Sequence, residues 1–116
     1  MGFLFERLEV YQKGRIFVNK ILSLCNKMPK GNAFLVEQLR RASTSILLNV
    51  AEGNGRWSCN DRRHFFAIAR GSAFECATIL QLCVDNGLIS TAVCNDIDTE
   101  LEEIAKMLTG LIKSNT

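Results

Sequence analysis

Proline and histidine are scarce in this chain of 116 residues, which contains one of each. A single proline without repeated turn clusters disfavours a fold made of many short strands and favours long helices. The single histidine, His64, belongs to no Asp and Cys constellation of the kind that builds a catalytic triad. One histidine among scattered cysteines also lacks the spacing of a metal site. The sequence therefore predicts a protein that is not an enzyme and that binds no metal or other cofactor.

Cysteine pairs of the Cys-x-x-Cys type are absent, although the chain has five cysteines. The odd number and the missing motif argue against a disulfide framework and against zinc or redox sites. Cys76 and Cys83 are seven residues apart, a spacing that puts both on one face of a helix as small core residues. We therefore expect reduced cysteines with a structural role.

Long apolar runs are also missing. No uninterrupted run approaches the roughly 18 residues that span a bilayer. Charged residues at Glu6, Arg7 and Glu9 interrupt the segment in which a signal peptide needs a continuous apolar core. Glu6 also stands where a myristoylation site needs Ser or Thr. The expectation is a soluble cytoplasmic protein that does not associate with membranes.

The chain length and composition fit a single domain that covers residues 1–116. Hydrophobic residues make up 47% of the sequence, which is enough for a core without disulfides or metal. The net charge of +2 is unevenly distributed: residues 1–72 hold 12 Lys or Arg and 5 Asp or Glu, whereas residues 73–116 hold 2 and 7. A basic front half and an acidic back half are compatible with a polyanionic partner or with self-association of unlike faces.

Apolar residues recur at steps of three and four in four segments, which is the period of an amphipathic helix. The predicted helices cover about residues 4–26, 33–53 and 59–86, and a fourth helix follows the candidate N-cap Ser90 and contains apolar positions up to Ile112. Because the connections between them are short, consecutive helices are expected to be antiparallel neighbours. The pattern predicts an all-α fold, an antiparallel up-down-up-down four-helix bundle.

Residues typical of helix ends mark the boundaries of these segments. Asn32 and Ser58 are candidate N-caps for the second and third helices, and Gly87 is a candidate stop for the third. Gly53 and Gly55 are expected to end the second helix, because glycine reaches the left-handed conformation that a helix end commonly needs.

Small residues in the segment 38–56, QLRRASTSILLNVAEGNGR, allow a neighbouring helix to approach closely. If the turn is centred in the connection between helices two and three, residue n of helix two faces residue 114 − n of helix three, to within a turn. Ala42 then faces Ser72. Ser45 faces Ala69 in the same way, so the two helices are expected to meet through alanine and serine.

The same register predicts two ion pairs between helices two and three. Arg40 is expected near Glu75. Glu52 is expected near Arg62 or Arg63. We expect these pairs to be partly buried and to specify the register more than they add to stability.

A cluster of cationic and aromatic side chains surrounds the predicted turn between helices two and three. Its members are Arg56, Trp57, Arg62, Arg63 and His64. The tryptophan ring offers a stacking surface for a base, and the positive end of the third helix dipole adds to the arginines. These features predict a nucleic-acid-binding site, with pairing of the arginines to Glu52 as the alternative. Basic residues on the outside of helix one are assigned to the same role: Lys13, Arg15 and Lys20.

Four phenylalanines exceed what a small four-helix core requires. They are Phe3, Phe5, Phe17 and Phe34. If these side chains are exposed, they provide an interface for self-association. The alternative is that some of them close the ends of the bundle.

Several motifs resemble those of a known protein family. They are FERLEVYQK at 5–13, LRRASTSILLNVAEGNGR at 39–56, FFAIARGSAFE at 65–75, GLIS at 87–90 and LTGLIKS at 108–114. The family consists of four-helix-bundle proteins and includes those encoded in intervening sequences of bacterial large-subunit ribosomal RNA genes. One departure is Leu47-Leu48, where many members carry a proline, so an unkinked second helix is expected. The linker Trp57-Ser58-Cys59 also replaces a more basic stretch.

The resemblance implies an all-α bundle that assembles into ring-shaped homopentamers without known catalytic activity. A related branch supplies the accessory variability proteins of diversity-generating retroelements, which are basic pentamers that bind nucleic acid and a reverse transcriptase. The resulting functional hypothesis is a non-catalytic, homo-oligomeric bundle that binds RNA or DNA. It would serve as a reverse-transcriptase accessory or as an rRNA intervening-sequence protein. The alternative is a structural scaffold that binds a protein partner through its acidic back half, without nucleic acid.

Overall fold

The computed structural model describes residues 8–116, and the regular structure in that range is entirely helical. The helices are α1 (Glu9–Lys27), α2 (Ala33–Asn54), α3 (Cys59–Asp85) and α4 (Thr91–Ser114). Their bounds agree with the predicted ones to within a residue or two wherever both are defined. The predicted start of the first helix, near Leu4, lies outside the described residues. The second helix runs without interruption through Leu47 and Leu48, as the missing proline predicts.

Each helix packs against its neighbours in the chain, and α1 and α4 close the arrangement. The connections 28–32, 55–58 and 86–90 are four or five residues long, which forces consecutive helices to run antiparallel. The predicted up-down-up-down four-helix bundle is therefore confirmed. Contact between α2 and α3 is the most extensive, whereas α1 and α4 lie less closely together.

Serine side chains begin the third and fourth helices, as predicted. The Ser58 hydroxyl accepts a hydrogen bond from the backbone N–H of Asp61, and the Ser90 hydroxyl accepts one from Val93. Asn32 occupies the N-cap position of α2 but its side chain forms no capping hydrogen bond. Gly87 follows α3 with a φ of 72°, which is the left-handed conformation expected of a helix stop.

The prediction for the end of α2 is wrong in its mechanism. Gly55 has a φ of −83°, and Gly53 lies inside the helix, so neither glycine supplies a left-handed residue. Gly53 is instead buried against α3: a Cβ atom added to it would lie 2.9 Å from Phe66 Cε1 and 3.0 Å from Phe65 Cβ. The glycine is needed for the close approach of two helices rather than for the turn.

The core is a single cluster of side chains from all four helices. Its large, fully buried members include Phe17, Ile21, Leu39, Ile46, Phe66, Leu80, Ile104 and Leu108. Phe17 is 1% exposed, which corrects the prediction that it lies at an interface. Phe3 and Phe5 lie outside the described residues. All five cysteines are free, and Cys76 and Cys83 both lie in the core, as their spacing predicted.

The contact between α2 and α3 is lined by small residues, as predicted. Ala42 and Ala69 are buried, and the Ser45 and Ser72 hydroxyl oxygens are 2.8 Å apart across the interface. The residue numbers of this serine pair sum to 117, whereas the predicted register requires a sum of 114. The observed register of α3 against α2 therefore differs from the predicted one by three residues, which is within the tolerance of one turn. The first turn of α3 extends past the end of α2, so the connection is not symmetric.

The α3 helix combines a length of 27 residues with a mean hydropathy of 1.2 over its most apolar window of 18 residues. By length and composition alone it could cross a membrane. In the bundle, however, α3 buries one face against α2 and α4. The apolar side chains of that buried face explain part of the high hydropathy of α3.

Candidate nucleic-acid interface

The turn between α2 and α3, residues 55–58, presents an exposed aromatic ring at one end of the bundle. Trp57 is 97% exposed, which is far more than a tryptophan retains when it serves in packing. The Ser58 cap fixes the first turn of α3 directly after it. The backbone on both sides of the tryptophan is therefore anchored while the ring faces solvent.

Arg56, in the connection after α2, is held by contacts with both α2 and α3. Its guanidinium forms an ion pair with Glu52, in the last turn of α2. The guanidinium also lies 4.5 Å from the centre of the Phe65 ring, a cation–π contact. The predicted pairing of Glu52 with Arg62 or Arg63 does not occur, because Arg56, four residues after Glu52, pairs with it instead.

Arg62 and Arg63 are attached to backbone carbonyls rather than to carboxylates. Arg62 Nε donates a hydrogen bond of 2.8 Å to the carbonyl oxygen of Arg56, which braces the turn. Arg63 donates to the carbonyl of Asn115, near the end of α4, and to the side-chain amide of Asn60. Neither arginine forms an ion pair within the described residues, so both keep their positive charge without a neutralising partner.

The turn therefore carries three arginine side chains with donors left over. A guanidinium has five N–H donors, and these three use one or two each within the protein. His64 is exposed, with its ring edge against Phe65 at 5.3 Å between centroids. Asp61 in the first turn of α3 and Glu52 offset two of the positive charges. We name Arg56, Trp57, Arg62, Arg63 and His64 the turn cluster.

The basic residues of α1 are arranged differently. Lys13 Nζ lies 2.9 Å from Glu103, and Lys20 Nζ lies 2.9 Å from Glu100, so two ion pairs join α1 to α4. The hydrogen bond from Lys13 lowers the pKa of Glu103 and raises the pKa of Lys13. Of the three predicted α1 residues, Arg15 alone forms no ion pair within the described range. The structure therefore places Lys13 and Lys20 in a seam between helices and separates them from the turn cluster.

The second predicted ion pair is also wrong. Arg40 lies 3.9 Å from Glu37 on its own helix and donates a hydrogen bond to the Asn26 side chain on α1. Glu75 has no ion-pair partner among the described residues. The contact with Asn26 directs the Arg40 side chain toward α1 rather than toward α3.

Residues 8–116 contain no group of three or more His, Cys, Asp or Glu residues that could hold a metal ion. Burial raises the pKa of four of the thiols, and that of Cys76 reaches about 12. The buried cysteines are thus kept as neutral core side chains rather than as nucleophiles.

A groove between α3 and α4 was missed at the level of sequence. It has a volume of about 480 Å³ and is bordered by Phe74 from α3 and by Asp98 and Glu102 from α4. The sequence feature that indicates the groove is the presence of apolar residues on α3 outside the stripe that it buries, such as Phe74. Periodicity does not reveal which helices flank a face, so it does not place Phe74 beside α4.

Comparison with known proteins agrees with the four-helix architecture. The sequence model of the 23S rRNA-intervening sequence protein family matches residues 6–110. A similar solved structure is the 1.70 Å crystal structure of a protein of unknown function from the S23 ribosomal protein family of Bacteroides thetaiotaomicron. The two chains are 26% identical, the alignment covers 90% of this chain and 95% of that one, and the TM-score is 0.84. No curated protein matches the sequence. With nearly its whole length matched, the chain belongs to the 23S rRNA-intervening sequence protein family.

Proposed function

We propose that this protein is a cytoplasmic, non-catalytic bundle that binds single-stranded RNA or DNA through the turn cluster and acts as a homo-oligomer. In the cell it would accompany a nucleic acid or ribonucleoprotein, either as an accessory to a reverse transcriptase or as an rRNA intervening-sequence protein. The observation that carries the proposal is the 97% exposure of Trp57 beside three arginines.

An exposed tryptophan supports binding of an unpaired base. Stacking of a base on an aromatic side chain contributes about 1–3 kcal/mol and works for every base. Because Trp57 is 97% exposed, its ring is available for such stacking. The anchored backbone on either side would reduce the entropy lost when a base is bound.

The arginines of the turn cluster suit phosphate oxygens on either side of a stacked base. Arg62 and Arg63 carry charges that no carboxylate neutralises among the described residues, and their bonds to carbonyls hold them at the turn. The first turn of α3 adds the positive end of its dipole. A strand that stacks on Trp57 would thus have cationic donors within reach of its backbone.

Oligomerisation would strengthen a site of modest charge. The family resemblance implies a pentamer, and α2 presents Phe34 at 74% and Leu48 at 64% exposure on its outer face. Apolar side chains of this size exposed on one helix are typical of an interface between subunits. Several turn clusters on one assembly would bind a long strand by avidity, without a highly basic subunit.

The test is titration of the protein with a single-stranded RNA and a DNA of about 20 nucleotides, a length that covers at least one typical binding site. Trp57 is the only tryptophan, so its fluorescence reports stacking directly. We expect quenching on binding and an affinity that falls as salt rises from about 50 to 200 mM. Trp57→Ala should weaken binding by about fivefold or more, as loss of one stacked base predicts. Because that variant has no tryptophan, its binding is followed by the fluorescence anisotropy of a labelled strand, which is also measured for the unaltered protein.

Two triple variants that remove the same charge distinguish binding at the turn cluster from nonspecific electrostatic attraction to the whole protein. Arg56, Arg62 and Arg63 changed together to Ala should reduce affinity at least tenfold and flatten the salt dependence. Lys27, Lys30 and Arg41 changed together to Ala remove the same charge elsewhere and should have little effect. Equal losses in both triple variants, or no binding at about 50 mM salt, would reject the proposal in favour of a protein scaffold.

A further inference from the structure

The groove between α3 and α4 is an open channel with an apolar floor. It has a volume of about 480 Å³, within the range of ligand and peptide sites. Its floor and one edge are formed by Ala73, Phe74, Ala77, Leu101 and Ala105. Phe74 stays 51% exposed at the edge, although its ring is already covered on one side by Arg70. The small floor residues leave space that the bundle itself does not fill.

The exposed side of α3 is more apolar than the surface of a lone bundle requires. Ile68, Phe74 and Leu82 are between 39% and 51% exposed on this helix. A helix that is apolar on nearly all sides is normally buried on nearly all sides. The groove lies at the edge of this exposed side, so an occupant of the groove would cover part of it.

The charges of α4 divide between two sides of the helix. Glu100 and Glu103 face α1 and are neutralised there by lysines. Asp98 and Glu102 line the groove instead and form no ion pair within the described residues. The groove thus keeps two negative charges in adjacent turns of the helix, while the acidic residues of the α1 side are already matched.

Asp98 has an unused hydrogen-bond acceptor. Its Oδ1 atom is inaccessible to solvent and accepts no hydrogen bond from the described residues, whereas Oδ2 accepts a weak one of 3.8 Å from the Cys94 thiol. A buried carboxylate oxygen without a donor costs free energy. Asp98 lines the groove, so rotation of its side chain would present this oxygen to a cationic donor of the occupant and remove that cost. The requirement points to a positively charged group in the occupant.

The opposite end of the groove is cationic. Arg70 donates a 2.9 Å hydrogen bond to Thr109 there, and Lys106 lies on the same side. From Asp98 to Thr109 is eleven residues, or about 16 Å along α4 at 1.5 Å per residue. The groove therefore spans three helical turns and changes sign from one end to the other.

We propose that this groove binds an amphipathic helix of a protein partner. Apolar side chains of the partner, spaced by three and four residues, would pack over Phe74 and the alanine floor. A Lys or Arg at one end would donate to Asp98 and Glu102, and a carboxylate about two turns away would approach Lys106. Nucleic acid is a poor occupant, because its phosphates would meet these carboxylates.

Helices α1, α2 and α4 of this chain match the groove poorly, and α3 already forms one of its walls, which favours a helix of a different protein over one from a second copy. On α2 the exposed apolar residues Phe34 and Leu48 are fourteen residues apart, or about 21 Å, longer than the groove. On α1 and α4 the only large apolar side chains exposed in the described residues are Ile16 and Val93, one on each helix.

The probe is a designed helical peptide of about 14 residues, with leucines at i, i+3, i+4 and i+7, lysines at one end and a glutamate at the other. Calorimetric titration into the full chain should give saturable one-to-one binding. The same peptide with glutamates in place of the lysines should bind at least tenfold more weakly. NMR shifts of backbone amides should change mainly in residues 70–77 and 98–109.

Two variants and a matched control test the assignment. Asp98→Asn with Glu102→Gln should weaken peptide binding at least tenfold, and Ala105→Trp should abolish it by filling the floor. Asp85→Asn with Asp96→Asn removes equal charge elsewhere and should leave binding unchanged, as should Trp57→Ala, which separates this site from the nucleic-acid site. Thermal melting followed by circular dichroism checks that each variant folds. The double change Asp98→Asn with Glu102→Gln alters only polar groups that line the groove and leaves its apolar floor intact.

Two outcomes would overturn the proposal. Equal weakening by the control pair would mean that the peptide follows net charge rather than the groove. A lower sedimentation mass for the Ala105→Trp protein would mean that a second copy of the chain occupies the groove.

Discussion

Gly53 illustrates how one side chain, or its absence, decides a helix contact. It lies in the last turn of α2, where the Phe66 ring of α3 occupies the space that a Cβ atom would need. Phe66 is 2% exposed, so the ring has little freedom to move away. The sequence pattern predicts that Gly53 ends α2, whereas the structure shows it at a close contact between α2 and α3.

Gly53→Ala should destabilise the protein, because the added methyl group overpacks a buried contact at a cost of about 1–3 kcal/mol. Gly71→Ala is the control, since Gly71 lies on the exposed side of α3 with open space around it. There the better helix propensity of alanine should add about 0.5–1 kcal/mol. Urea denaturation measures both. A Gly53→Ala protein as stable as Gly71→Ala would show that Phe66 moves aside freely.

The cysteines should differ sharply in reactivity. Cys59 is exposed at the start of α3, while burial raises the pKa of the other four thiols and brings that of Cys76 to about 12. At a pH of about 8, one thiol should react rapidly with Ellman's reagent and all five after unfolding. Cys59→Ser should remove the rapid reaction. A second rapid thiol would reveal local opening of the core.

At the scale of elements, the bundle is closed by two different kinds of contact. The α2 and α3 helices meet through alanine and serine, including the Ser45 to Ser72 hydroxyl contact of 2.8 Å. The α1 and α4 helices lie farther apart and are joined at their edge by two Lys–Glu pairs. The first contact depends on close packing, whereas the second is exposed and sensitive to pH and salt.

The ion pair of Lys13 with Glu103 predicts an acid dependence of stability. Because the folded-state pKa of Glu103 is lowered, its contribution is present above the unfolded pKa and is lost as pH falls through the folded value. Glu103→Gln should lower the urea midpoint slightly at neutral pH, and the difference should vanish in acid. Glu102→Gln, an adjacent carboxylate without an ion pair, is the control. A difference that persists unchanged in acid would mean that packing, not charge, is responsible.

At the scale of the whole molecule, the proposed functions use distinct surfaces. The turn cluster lies at one end of the bundle, the α3–α4 groove lies along one side, and the outer face of α2 exposes Phe34 and Leu48. The positive charge of the turn and the carboxylates at one end of the groove would keep polyanions and basic helices on separate sites. Assembly through α2 would leave both sites available on every subunit.

The proposed pentamer has a direct test. The sedimentation mass should be five times the chain mass of 13.0 kDa. Phe34→Ser with Leu48→Ser should shift it to smaller species, because the apolar interface is removed. Ile16→Ser, a comparable change at a 69% exposed side chain of α1, should not. A wild-type protein that sediments as a monomer would remove oligomerisation from the proposed function.

The sequence by itself determined where the helices lie and which of their faces are buried, although Gly53 and Gly55 do not end α2 in the way expected. These properties depend on local spacing: a step of three or four residues defines a face, and Ser58, Ser90 and Gly87 supply caps through atoms a few residues away. The short connections determined the bundle topology, because they make consecutive helices antiparallel. The residues of the turn cluster are near neighbours in the chain, so their proximity was also set by the sequence.

Only the tertiary structure decided which side chains meet across helices. Arg40 contacts Glu37 on its own helix and Asn26 on α1 instead of Glu75, and Glu52 pairs with Arg56 instead of Arg62 or Arg63. The Lys–Glu seam and the groove beside Asp98 depend on which helix flanks each face of α4. Periodicity cannot supply that information, because it fixes the burial of a face but not the register or identity of the neighbour that covers it.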